Sequence, residues 1–198
     1  MTQQAGGLRV RRMRTLLREA LIELVEERNF EALTVGEITE RAMVSRAAFY
    51  RHYQDKHDLV EQIFDEAVGS VLGTFGAWGS EQPPAVMVAF FHHIAQYNRL
   101  YRALLGRNGS PWFVRKVHAA LTELVTAHEF RHTPARLPSA DWPAVTFADT
   151  FVPEVVSAML VEAISWWLEQ GRPYTPTEMA TRCARLVSAC FKEVSTWA

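Results

Sequence analysis

The 198-residue chain reads as all-α. Three observations predict this. Apolar residues recur at steps of three, four and seven through nearly every long segment, the period of one helix face. No segment alternates apolar and polar residues as a half-buried strand would. Clusters of Gly and Pro break the pattern at helix-length intervals, as at Gly73-Gly76-Gly79-Pro83-Pro84 and Gly171-Arg172-Pro173. About nine helices result: an N-terminal three-helix helix-turn-helix domain over 1–54 and a C-terminal helical domain over 55–198.

Met1 to Gly7 is polar and Gly-containing and reads as a loose tail. Leu8 to Arg28 carries Val10, Met13, Leu17, Leu21, Leu24 and Val25 at helical spacing behind a basic start. Phe30 and Leu33 are candidate core plugs. Thr34-Val35-Gly36-Glu37 is a capping box, in which hydroxyl and carboxylate each satisfy a backbone N–H at a helix start. Ile38 and Ala42 lie on one inward stripe. Met43-Val44 is long enough only for a turn, and Ser45 recaps the chain. The second helix of the pair runs through Phe49 and Tyr53, four apart and facing the core. Arg46, Ala47, Tyr50 and Arg51 are left on other faces.

His57 to about Phe75 continues as an amphipathic helix. Ala85 to Asn98 is apolar on most sides and reads as buried. Arg99 to Leu105 is short and stops at Gly106. Ser110-Pro111 starts a helix reaching about Phe130. His132 to Pro143, with three prolines, reads as a loop. Val152 to Gln170 ends at a Gly stop with a trailing Pro. Thr175-Pro176-Thr177-Glu178 is a second capping box. The last helix carries Met179, Cys183, Leu186, Val187, Cys190, Phe191, Val194 and Trp197 as a narrow seam of the kind used in helix association.

Net charge is −1, so the chain as a whole is not a polyanion binder. Charge is local instead. Residues 9 to 18 hold five Arg and no acid, and Arg41 to His57 hold four basic side chains (Arg41, Arg46, Arg51, Lys56) against Asp55 alone. Two basic patches in one small domain suit a phosphate-tracking surface. Two short helices joined by a tight turn form a helix-turn-helix, whose second helix can enter the major groove. Small Ala47 and Ala48 permit close approach. Arg46 and Arg51 offer paired donors to a guanine edge. Tyr50 and His52 can donate to phosphates, and Lys56 sits at the positive end of the next helix, a natural phosphate position.

The run AMVSRAAFYRHYQDKHDLV resembles the DNA-binding domain of the TetR (tetracycline-repressor-like) family, and ISWWLEQGRPYTPTEMA resembles the dimerisation end of many of its members, less closely. The resemblance implies DNA contacts over Ser45 to Lys56, with Tyr50, His52 and Lys56 on phosphates and Arg46, Ala47, Ala48 and Arg51 near base edges. Thr34, Arg11 and Arg12 complete the candidate set. The family usually has Gly in the turn where this chain has Met43. If that position needs positive φ, methionine costs about 1 kcal/mol.

The resemblance also implies a small-molecule effector in the larger domain and a homodimer through 152–170 and 176–197. His93, Tyr97, Trp112, Phe147 and Trp166 are candidate effector-lining residues, chosen on chemical type alone. The expected function is a ligand-released repressor on a palindromic double-stranded DNA operator. The rivals are an activator or ligand-blind regulator on the same scaffold, or a small helical enzyme. No catalytic constellation or phosphate loop supports the last. His128 and His132 do stand at the four-residue metal spacing, but where a helix is expected to fray and with no third ligand evident, so no cofactor or metal is expected. His92-His93 are adjacent and point apart. Cys183 and Cys190 read as packing rather than redox residues. No run of 18 apolar residues and no signal peptide is evident, so the expected place is the cytoplasm, off the membrane.

Overall fold

The computed structural model describes residues 2–72, 85–106, 109–132, 148–194 and 196. The described helices are α1 (Thr2–Glu27), α2 (Val35–Arg41), α3 (Arg46–Tyr50), α4 (Lys56–Leu72), α5 (Ala85–Gln96), α6 (Asn98–Leu105), α7 (Pro111–His132), α8 (Ala148–Glu169) and α9 (Pro176–Val194). A single 3-10 turn, Phe30–Ala32, separates α1 from α2. Among the described residues there is no strand.

Two expected boundaries shift. The backbone is helical from Thr2, so the segment expected to be a tail extends α1 instead. Extending an existing helix fixes one residue per hydrogen bond, which is far cheaper than starting one. The second helix of the pair ends at Tyr50 rather than Tyr53. A turn then carries Tyr53 into the core, its N–H on the Phe49 carbonyl at 3.0 Å.

Packing divides the chain into two compact units, Met1–Glu66 with Arg99–Ser110, and Ala67–Asn98 with Pro111–Ala198. This division does not fall at the 54/55 boundary read from the sequence.

In the first unit α1 buries Leu17, Ala20, Leu21, Leu24 and Val25 as one stripe. Phe30, Leu33, Ile38, Phe49 and Tyr53 are buried in the same unit. Each large apolar side chain so enclosed stabilises the unit by about 1.5–3 kcal/mol. Arg41 on α2 reaches back to Glu27 and Glu23 on α1. α6 joins this unit through buried Leu100, Tyr101, Leu104 and Leu105. Its Arg99 grips Glu26, with Nε 2.8 Å from Oε1 and Nη2 on Oε2. Ser110, fully enclosed, donates its hydroxyl proton to the Glu31 carboxylate.

In the second unit α7 packs on α8, and α9 packs on α5 and α8. Trp167 is its centre. The indole is buried, meets the Phe91 ring edge-on at 5.5 Å and donates to the Tyr174 carbonyl at 2.9 Å. α8 closes in a Schellman turn: Arg172 N–H bonds the Trp167 carbonyl at 2.8 Å and Gly171 N–H the Leu168 carbonyl at 3.2 Å. Thr175 and Glu178 form the second capping box as expected from sequence. α5 is amphipathic rather than apolar all round: Met87, Phe90, Phe91 and Ile94 are buried, while Ala85, Ala89, His92 and Gln96 are exposed.

The α9 seam is split. Met179, Cys183 and Val187 are buried within the chain itself, whereas Leu186 is exposed. On α8, Phe151, Val155 and Trp166 are exposed as well. Within α8, Phe151–Glu169 is long and apolar enough to cross a membrane by composition, with mean hydropathy 1.4, yet 56% of it is buried in the protein. That is the pattern of a core helix.

Candidate nucleic-acid interface

The exposed residues of α3 are held in place by groups behind them. Thr34 accepts from Glu37 N–H at 3.3 Å, and Glu37 accepts from Thr34 N–H at 2.9 Å, so the capping box at the start of α2 is complete. These bonds, the Thr34 backbone donor above all, hold the Glu37 carboxyl below its ordinary range, with Arg28 at 2.6 Å adding to it.

α2 ends in a Schellman turn. Val44 N–H bonds the Thr39 carbonyl at 2.9 Å and Met43 N–H the Glu40 carbonyl at 3.0 Å. The turn requires a left-handed residue, and Met43 takes it at φ 52° with its side chain 91% exposed. Ser45 then caps α3 by accepting from Ala48 N–H at 3.2 Å.

With Phe49 buried, α3 has one rotational setting. Arg46, Ala47, Tyr50 and Arg51 are exposed, and Ala48 and His52 are half-buried. The Tyr50 ring leans edge-on against Phe49 at 5.5 Å. Arg46 and Arg51 side chains have no hydrogen-bond or ion-pair partner among the described residues. The Arg46 guanidinium lies over Gly36 of α2, in the space a Cβ there would fill. Gly36 was not singled out by sequence reasoning. Its signal is a glycine inside a helix, which otherwise costs about 1 kcal/mol. Arg11 and Arg12 are exposed on α1.

Three basic residues counted into the patches are committed elsewhere. Arg41 forks onto Glu27, at 2.9 and 3.0 Å, and reaches Glu23 at 3.1 Å. Arg18 pairs with Glu66. Lys56 points inward: its Nζ donates to the carbonyls of Phe30, Glu31 and Leu33 at 2.9, 2.8 and 2.9 Å. The start of α4 is also occupied, since Asp55 accepts from His57 N–H at 2.8 Å and Asp58 N–H at 2.9 Å. The expectation of Lys56 as a phosphate contact at an open helix end does not fit this geometry.

Of the candidate effector residues, the structure brings together His93 and Tyr97, whose rings lie 4.7 Å apart. An open groove of about 720 Å³ runs along one face of α5 past His92 and His93. Trp112 packs against Phe113. Trp166 lies on the exposed face of α8, 6.2 Å from the Tyr174 ring, which is covered in turn by Arg182. Phe147 lies outside the described residues.

A helix-turn-helix presented on a three-helix core, followed by a larger helical unit, defines a DNA-binding transcription regulator. Residues 17–63 match the family of bacterial regulatory proteins called tetR, and residues 81–189, more than half the chain, match a transcriptional regulator C-terminal region of the same group. The chain belongs to the TetR family of transcriptional regulators. It is 36% identical over 59 residues to an uncharacterized HTH-type transcriptional regulator, YxbF, of Bacillus subtilis (strain 168). That match spans 28% of this chain and 16% of the relative.

Solved structures share the fold. A TetR regulator from Streptococcus agalactiae 2603V superposes with TM-score 0.60 at 19% identity, covering 93% of this chain and 98% of the other. The dihydroxyacetone kinase operon activator DhaS gives 0.59 at 12%, covering 91% and 97%. A TetR-family regulator from Streptomyces coelicolor gives 0.54 at 19%, covering 93% and 85%.

Proposed function

We propose that the protein is a cytoplasmic, ligand-responsive repressor that binds a near-palindromic operator as a homodimer and is released by a small molecule. One observation carries the reading: a five-residue helix, fixed from behind by Phe49, exposes Arg46, Ala47, Tyr50 and Arg51, with neither guanidinium hydrogen-bonded or ion-paired among the described residues. In this reading residues 1–54 are the DNA-binding domain and 55–198 the effector-binding and dimerisation domain. Arg46 and Arg51 read base edges, Ala47 and Ala48 allow close approach, and Thr34, Ser45, Tyr50, His52, Arg11 and Arg12 hold the backbone.

Dimerisation through 152–170 and 176–197 is supported by the exposed Phe151, Val155, Trp166 and Leu186 on α8 and α9. A two-fold axis there sets two reading helices ~34 Å apart, one duplex turn. An effector beside His93 and Tyr97 lowers operator affinity 100-fold if it favours the non-binding arrangement by about 2.7 kcal/mol.

The test is a mobility-shift series on the DNA upstream of the protein's own gene. Arg46→Ala and Tyr50→Phe each weaken binding and leave the dimer intact. No shift by the wild-type chain on any promoter duplex removes the reading, and unchanged binding by both variants removes the assigned contacts. A metabolite screen for release from the bound duplex then identifies the effector.

A further inference from the structure

We propose that Lys56 is a positioning residue, a three-point clamp that closes the helix-turn-helix on itself. The proposal rests on the DNA-binding reading above.

An ammonium has three N–H donors and no acceptor. All three of Lys56 are used, on the carbonyls of Phe30, Glu31 and Leu33, at 2.8 to 2.9 Å. The same nitrogen lies 4.8 Å from the centroid of the Phe30 ring. To hold a phosphate it would have to release a carbonyl. The helix end beside it offers an anion little, because the Asp55 carboxylate already takes the N–H groups of His57 and Asp58.

The placement of the acceptors gives the clamp its role. The reading pair runs from the α2 cap, Thr34, to the α4 cap, Asp55. Leu33 and Lys56 are the residues just outside those two ends, and their 2.9 Å bond joins them. The segment carrying α2 and α3 is therefore a loop fastened at its neck. Fastening the neck fixes the tilt of α3 on its core and so the aim of Arg46 and Arg51. Arginine cannot replace lysine here. A planar fork cannot place three donors on three converging carbonyls as a compact ammonium does.

The test uses the full-length chain, a duplex enriched by the wild-type protein from a random-sequence pool, and an unrelated duplex of equal length. Lys56→Arg and Lys56→Met are titrated with both, across a salt series, at a temperature where circular dichroism shows them folded. A positioning role predicts that both variants lose about tenfold or more of the preference for the enriched duplex. It also predicts that the salt slope and the affinity for the unrelated duplex stay at wild-type values.

A phosphate ligand behaves otherwise: arginine preserves the charge and rescues, and methionine lowers the salt slope by about one per protomer. Wild-type discrimination in Lys56→Arg, or that reduced slope in Lys56→Met, overturns the clamp. If methionine prevents folding, the arginine variant alone decides, by keeping or losing discrimination. A wild-type chain that enriches no duplex removes the DNA-binding reading and the clamp with it. One that enriches a duplex, with indifferent variants, removes the clamp alone.

Discussion

Arg41 on α2 faces Glu27 on α1 as a fork on a carboxylate, Nη1 2.9 Å from Oε1 and Nη2 3.0 Å from Oε2. The pair ties the two helices together and draws the Glu27 carboxyl below its ordinary 4.5, chiefly through the Arg41 hydrogen bond. Glu26 is lowered likewise by Arg99, Glu37 by the Thr34 backbone, and Glu178 by Thr175. The unfolded chain therefore binds protons more readily than the folded one. The stability these groups contribute is complete above 4.5 and drains as pH falls through their lower folded values. Melting midpoints measured from neutral pH into acid should hold flat and then drop on the acid side of 4.5. Glu37→Gln and Glu178→Gln should each make that drop shallower, and a midpoint indifferent to acid would contradict the assignment.

Met43 is held at φ 52° with its side chain in water, so it carries strain without a packing return. Met43→Gly should stabilise the chain by about 1 kcal/mol, raising the melting temperature by roughly 2–4 °C. Met43→Ala keeps the Cβ and should give no such gain. Equal midpoints for glycine and alanine would show that the turn relaxes without strain.

Gly36 and Gly109 respond to alanine in opposite ways. At Gly109 a methyl group meets main chain, the Leu104 carbonyl and the Gly106 oxygen at 2.7 Å, which cannot step aside. Gly109→Ala should destabilise by more than about 1 kcal/mol. At Gly36 the methyl meets only the end of the Arg46 side chain. Gly36→Ala should leave stability equal or better by up to about 1 kcal/mol, while weakening operator binding by displacing the guanidinium. Denaturant unfolding and DNA titration on the same samples separate the two effects. Unchanged affinity would mean that the resting place of Arg46 has no part in recognition.

Trp166 and Leu186 are exposed on α8 and α9, so charging them leaves the protomer core untouched. The Trp166→Glu, Leu186→Glu double variant should sediment as a monomer with native helix content and lose cooperative operator binding. A variant that remains dimeric would move the interface elsewhere.

Both capping boxes, Thr34–Glu37 and Thr175–Glu178, were legible because the whole device lies within four consecutive residues. The face of α3 was legible too, since burying Phe49 fixes where Arg46 and Tyr50 point. The hydrogen bonds of Lys56 and Arg41 were not legible, for a shared reason. Their partners are main-chain oxygens at 30, 31 and 33 in one case and carboxylates on α1 in the other, and no charge count records either. The α9 seam was read correctly as apolar, but periodicity does not say whether its partner is α5 of the same chain or a second copy. Met179, Cys183 and Val187 are buried within the chain itself, where α9 packs on α5 and α8.

Trp166 and Trp167 are neighbours in sequence with opposite surroundings, the first 43% exposed and the second 0%. A helix turns about 100° per residue, so one step separates a partly exposed ring from a fully enclosed one. Adjacent indoles thus form a natural pair of fluorophores. With the other four tryptophans replaced by phenylalanine, a collisional quencher should reach Trp166 and spare Trp167, and a blue shift confined to the accessible component would signal that its face has been covered.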